Sequence, residues 1–211
     1  MTASSTSRHQ KKLLFVVSAP SGTGKTSLCN EVVKEIPDLI FLISHTTRAP
    51  RPGEEHGKNY YFVSQEEFRK FISQDKMAEW TEIYGNCYGT AKETIQREFD
   101  KGLDVFFDID ERGARQLTNA YTDVVTILVL PPSLQALKKR LVNRGTDDKE
   151  AVCRRLKKAE EEIQNMSWYR YVIVNDRFED AVVELKSIIT AERCRHNHNF
   201  IEKLLKNEKS C

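Results

Sequence analysis

No apolar stretch of this 211-residue chain approaches the roughly 20 residues that cross a bilayer, so no membrane span is expected. Net charge is scarce too: 33 Lys and Arg stand against 31 Asp and Glu, leaving +2. That balance argues against nucleic acid or an anionic membrane as the main partner; a small-molecule site needs only local charge. The five cysteines, at 29, 87, 153, 194 and 211, contain no CxxC pair, which leaves no disulfide or zinc framework to read. Reduced thiols in a cytoplasmic protein are expected instead. Cys194 with His196 and His198 reads as solvated tail rather than as a metal set. Internal repeats and low-complexity blocks are absent. Residues 1–12 are polar and basic with no acid among them. They lack the apolar core and cleavage site of a signal peptide, so a disordered leader is expected, with a short targeting arm as the alternative.

What is present is ordinary for a globular protein, 39% hydrophobic and 30% charged residues. The length suits one compact α/β unit with an inserted lobe. Its most informative string is Ala19-Pro20-Ser21-Gly22-Thr23-Gly24-Lys25-Thr26. It follows the apolar, β-branched run Leu13–Val17 and precedes a helix-like segment, the strand–loop–helix setting of a phosphate-binding P-loop. Glycines let backbone N–H groups turn inward around phosphate oxygens, and the helix adds its positive N-terminal end. In that reading Lys25 reaches the β- and γ-phosphates of a nucleotide, and the Thr26 hydroxyl binds Mg²⁺. One position departs from G-x-x-x-x-G-K-[ST]: the first Gly is Ala19, which holds the turn provided its φ is negative.

The remaining pattern alternates strands and helices. Leu13–Val17, Leu39–Ile43, Leu103–Ile109, Val124–Leu130 and Tyr171–Val174 read as buried strands. Helices are expected over Thr26–Ile36, Gln65–Ser73, Leu134–Val142 (capped by Ser133), Glu150–Met166 and Glu179–Glu192. This predicts an α/β, P-loop three-layer fold: a parallel central sheet with helices on both faces. The alternation breaks between about Ile43 and Gly102, where Pro50, Pro52, Gly53 and Gly57 mark a loop, Tyr60–Val63 a short strand and Asn86–Thr90 turn residues. An inserted lobe beside a P-loop is where a second substrate would sit. Within it Arg48 and Arg51 lie three apart around a proline, a pair of guanidinium forks suited to a phosphate monoester. Tyr60 and Tyr88 offer hydroxyl donors. Taken alone, that string reads better as a solvated basic loop, and Glu79 as a solvated loop acid.

The order of further motifs resembles the guanylate kinase family. They are S-x-T-T-R-x-P-R-x-G-E from Ser44 to Glu54, Asn59–Val63, Glu79, Gly85–Thr90, Asp108-Ile109-Asp110, Pro131–Ser133, Arg144–Thr146, Arg155 and Val174–Asp176. The likeness runs unbroken over about residues 13–192. It implies a core of 13–43 and 103–192, a GMP-binding lobe of about 44–102, a short lid of about 140–158, and a C-terminal tail from 193 to 211. It implies ATP + GMP giving ADP + GDP, with Mg²⁺ as cofactor and dGMP accepted, in a monomer or homo-oligomer. Carried over by motif, Arg48, Arg51, Tyr60 and Tyr88 belong to the GMP phosphate, and Glu54 to the GMP site. Ser44, Glu79, Thr90 and Asp110 belong to guanine, and Asp108 lies near the transferred phosphate and Mg²⁺. Arg140, Arg144 and Arg155 become phosphate-facing arginines, and Asn175 meets adenine. Two departures are Cys87, where an aromatic is common, and Arg112, where a Gln usually precedes the Gly. A kinase-like binding module and a kinase for another monophosphate remain alternatives; Lys25, Thr26 and the arginines speak against the first, Ser44 and Glu79 against the second.

Overall fold

The computed structural model describes residues 12–83, 85–143 and 149–195. Five parallel strands form the central sheet: β1 (Leu14–Ser18), β2 (Leu39–Phe41), β7 (Asp104–Asp108), β8 (Val124–Leu130) and β9 (Tyr171–Val174). Their spatial order is β2-β7-β1-β8-β9. β1 runs through the middle because its side chains on both faces are apolar. Leu13, Phe15 and Val17 enter a core with Leu28 and Val32 of α1 (Lys25–Glu35) and Leu185 and Ile189 of α7 (Phe178–Arg195). Leu14 and Val16 enter another with Ile95 of α3 (Lys92–Asp100) and Ala114 and Leu117 of α4 (Glu111–Ala120). A strand covered on both faces reads as a continuous hydrophobic run rather than an alternating one.

Register carries function here. Val17 stands beside Asp108 across β1 and β7, so the carboxylate emerges next to the loop that leaves β1. That end, the C-terminal edge of the parallel strands, is the ligand-binding edge of open α/β sheets.

The second sheet has the order β4-β3-β6-β5: β3 (His45–Thr46), β4 (Tyr61–Phe62), β5 (Met77–Ile83) and β6 (Asn86–Ala91). It covers a small core of Phe68, Met77, Cys87 and Ala91, in which Phe68 comes from α2 (Gln65–Ser73). Ser64 closes a capping box with Glu67 at the start of α2. Asn86–Thr90 is strand, not the expected turn. The turn falls at Gly85, with φ +77°. Gly89 serves close approach instead, since a side chain there would meet the Glu79 carbonyl oxygen at 2.5 Å. Glu79 likewise sits on a strand and not in a loop. α3 lies inside the span assigned to the lobe, yet it packs Ile95 into the central-sheet core.

β8 stops at Pro131-Pro132, and Ser133 accepts the Ala136 N–H at 3.0 Å to cap α5 (Leu134–Asn143). α6 (Lys149–Gln164) follows, then a 3₁₀ turn, Met166–Trp168. The leader through residue 11, Arg144, and the tail from residue 196 onward, with His196, His198 and Cys211, lie outside the described residues. No described helix is long and apolar enough to cross a membrane.

Candidate active site

The loop from β1 to α1 turns at Gly22 and Gly24, whose φ angles are +96° and +94°. Ala19 is not among the residues with positive φ, which meets the condition under which alanine tolerates that position. The loop is braced from behind. Asn175 is buried and its amide donates to the Thr23 carbonyl at 2.7 Å; Arg140 donates to the same carbonyl at 3.2 Å and to the Asn175 carbonyl at 3.0 Å. A side chain at Gly24 would strike the Asn175 amide at 2.8 Å. Asn175, expected against adenine, and Arg140, expected to face phosphate, thus spend these donors on the loop itself.

In front of the loop, Lys25 forms an ion pair with Asp108 and also donates to the Ile109 carbonyl at 3.3 Å. The Thr26 hydroxyl donates to Asp108 at 2.9 Å. A hydroxyl and a carboxylate this close, at a helix N-terminus, are hard oxygen donors of the kind that hold Mg²⁺ together with nucleotide phosphates. From above, Arg155 on α6 reaches the Ser21 hydroxyl at 3.3 Å. These groups line a cleft of about 360 Å³. Lys158 and Glu162, three and seven residues beyond Arg155, line it too. Sequence reading passed over both, although that spacing places them on the face of the helix that carries Arg155.

A second cleft, of about 220 Å³, opens toward the lobe and is lined by Ser44, Tyr60, Glu79 and Tyr88. Asp108 and Asp110 line both clefts, so the two meet at the end of β7. At the outer end Arg48 Nη2 donates to both carboxylate oxygens of Glu54 at 2.9 Å, and Glu54 also accepts the Arg51 backbone N–H at 2.7 Å. Arg48 stacks over Tyr60 at 5.5 Å, and Tyr60 meets Tyr88 edge-on at 6.1 Å. Glu54 therefore aims Arg48, while the Arg51 side chain remains exposed.

At the inner end Ser44 and Thr90 share a hydroxyl hydrogen bond of 3.2 Å. Glu79 is only 3% exposed, and its Oε1 has no hydrogen-bond partner among the described residues. Burial pushes its carboxyl up to about 7; hydrogen bonding from Thr90 opposes that and the nearby Asp110 charge adds to it. Asp110 accepts the Gly113 N–H at 3.0 Å as the cap of α4. Gly113 is the residue that motif reading missed as functional: a side chain there would lie 2.8 Å from Glu79 Oε2. Only the packing of α4 on β5 reveals it.

The guanylate kinase family model matches residues 11–192. The chain belongs to the guanylate kinase family. A guanylate kinase of Geobacter sulfurreducens is 50% identical over 183 residues, covering 87% of this chain and 90% of that protein. One from Geobacter metallireducens is 49% identical with the same coverage. The crystal structure of guanylate kinase from Anaplasma phagocytophilum superimposes with a TM-score of 0.68 at 33% identity, covering 86% of each chain.

Two departures from the guanylate kinase pattern acquire a place in the fold. Cys87 faces the apolar core of the lobe, while Tyr88 beside it faces the cleft. Strand alternation separates them, so the thiol faces away from the cleft that Tyr88 lines. Arg112 is exposed on the first turn of α4 and lines a cleft between β5 and α6 that adjoins the other two, sharing Asp110 with both.

Proposed function

We propose that this guanylate kinase transfers the γ-phosphoryl group of ATP to GMP, giving ADP and GDP, and takes dGMP as well. The observation that carries the guanine reading is the buried, unpartnered Oε1 of Glu79. Guanine presents N1–H and N2–H side by side, two donors for one carboxylate. Adenine presents an acceptor at N1 and would leave that carboxylate unpaired, a loss of several kcal/mol, or on the order of 10³-fold. The Ser44 and Thr90 hydroxyls supply donors for O6. At the other end of the cleft Arg48, Arg51, Tyr60 and Tyr88 receive the monophosphate.

The acceptor oxygen is already anionic, so no general base is required, and catalysis becomes positioning plus charge neutralisation. Lys25 exchanges its Asp108 partner for phosphate oxygens, and Arg155 swings from Ser21 onto the same group. Mg²⁺, held by Thr26 and through water by Asp108, would neutralise phosphate charge. Asn175 and Arg140 keep the loop carbonyl at Thr23 pinned outward, which leaves the loop N–H groups facing inward. A reducing cytoplasm suits its free thiols, Cys29, Cys87, Cys153 and Cys194.

An ADP-release assay with ATP, Mg²⁺ and, in parallel, GMP, dGMP, AMP, UMP and CMP tests the reading. Turnover confined to the two guanine nucleotides supports it. Turnover with another monophosphate removes Glu79 and Ser44 from base recognition, and binding of GMP without turnover points to a binding module.

A further inference from the structure

β5 is the outer strand of the lobe sheet, so among the described residues one of its backbone edges has no strand neighbour. Trp80, across the ladder from Gly89, turns its N–H and its carbonyl toward that open edge. Both are taken by one side chain. The Gln116 carboxamide accepts the Trp80 N–H at 3.0 Å and donates to the Trp80 carbonyl at 2.7 Å, as a neighbouring strand would. Gln116 is on α4, whose core-facing Ala114 and Leu117 anchor it to the central sheet. Gly113 lies three positions earlier, on the same helix face, and it is there that the Glu79 carboxylate rests. One face of α4 thus holds the Glu79 carboxylate at 113 and the backbone of the next residue in β5 at 116. The ladder is irregular just before Glu79, with a register shift between Met77 and Glu79, so pairing with β6 alone fixes this stretch less firmly.

We propose that Gln116 is a positioning residue for base recognition: by pairing with the open edge of β5 at Trp80 it holds the Glu79 carboxylate at the guanine edge. The proposal rests on the guanine reading of Glu79. Gln116 itself touches no substrate. Its loss lets β5 drift relative to α4, so the carboxylate meets N1–H and N2–H at poorer distances while the nucleotide-triphosphate cleft is unchanged.

The test compares GMP with IMP, whose base keeps N1–H and lacks the 2-amino group. Gln116→Met retains length and removes both hydrogen bonds; Gln116→Glu keeps the bond from the Trp80 N–H, sets an acceptor oxygen against the Trp80 carbonyl in place of the amide donor, and stands in if the Met variant does not fold. Glu79→Gln and the double variant are run beside them. The expected result for Gln116→Met is KM for GMP raised about tenfold, the worth of two net hydrogen bonds, with KM for ATP within about twofold and a smaller GMP-over-IMP preference. For Gln116→Glu, which loses one bond and sets two acceptor oxygens together, it is likewise about tenfold. The double variant should show no smaller preference than Glu79→Gln alone, because both changes act through one carboxylate. Wild-type KM for GMP and preference in the Gln116 variants, where Glu79→Gln abolishes that preference, overturns the positioning role and leaves the guanine reading standing. Equal rises in KM for ATP and GMP overturn it as well. An unchanged preference in Glu79→Gln removes both.

Discussion

Glu79→Gln separates the cost of the guanine site from its benefit. A carboxyl that titrates near 7 rather than at 4.5 has been deprived of about 3 kcal/mol of its ionisation free energy, at ~1.4 kcal/mol per tenfold. Below pH 4.5 the group is protonated in both folded and unfolded chains, and no such cost exists. As pH rises from 4.5 to about 7 the unfolded chain ionises first, so stability falls; above 7 the full cost is present. The amide introduced by Glu79→Gln is neutral throughout but still leaves one polar atom short of a partner, which returns roughly 1 kcal/mol or more. In a chain of this length 1 kcal/mol moves Tm by about 2–4 °C. The Gln variant should therefore melt about 5 °C above wild type at pH 8 and about 2–4 °C below it near pH 4.5. Differential scanning calorimetry without ligand at both pH values reads this directly. Isothermal titration should show the reverse for function: GMP affinity of the wild type rises as pH passes through about 7, because the ionised carboxylate accepts from guanine, and the variant loses both affinity and that dependence. A variant that melts at or below wild type at pH 8, or that differs equally at both pH values, refutes the buried-charge reasoning.

Lys25→Ala should lower kcat by roughly three orders of magnitude or more with the fold intact, since charge neutralisation of the transferring group carries most of this catalysis; near-normal turnover would sink the P-loop assignment. Glu54→Ala releases Arg48 from its ion pair and should raise KM for GMP about tenfold with little change for ATP in steady-state assays, on the scale of one charge-assisted bond. Gly113→Ala gains roughly 1 kcal/mol of helix propensity yet sets a methyl 2.8 Å from the Glu79 carboxylate. KM for GMP should rise severalfold, and an unchanged KM would show that the carboxylate has room to spare.

The central sheet is legible in the sequence because each of its strands is a short apolar run set off by glycine, proline or charge; β1 and β8 are buried on both faces, whereas the edge strand β9, expected to be buried, buries Ile173 and leaves Val172 and Val174 exposed. Asn86–Thr90 misleads for the opposite reason. Its Asn and Gly carry turn propensity, but Gly89 is there so that β5 can approach. β5, α3 and α4 leave no clear trace, because their polar residues make neither a clean alternation nor a long apolar stripe. The P-loop and the order of guanylate kinase motifs are readable because phosphate chemistry demands particular residue types at fixed local spacings.

Local spacing cannot report contacts between distant elements. The sequence by itself therefore determined the nucleotide loop, the parallel sheet and the family, all of which rest on neighbours in the chain. Only tertiary structure decided that Asn175 and Arg140 brace the Thr23 carbonyl, that Glu54 aims Arg48, and that the Glu79 carboxylate is buried without a partner for Oε1 against Gly113. Those facts depend on which groups the fold removes from water. That is a property of packing between β5 and α4, and no residue carries it alone.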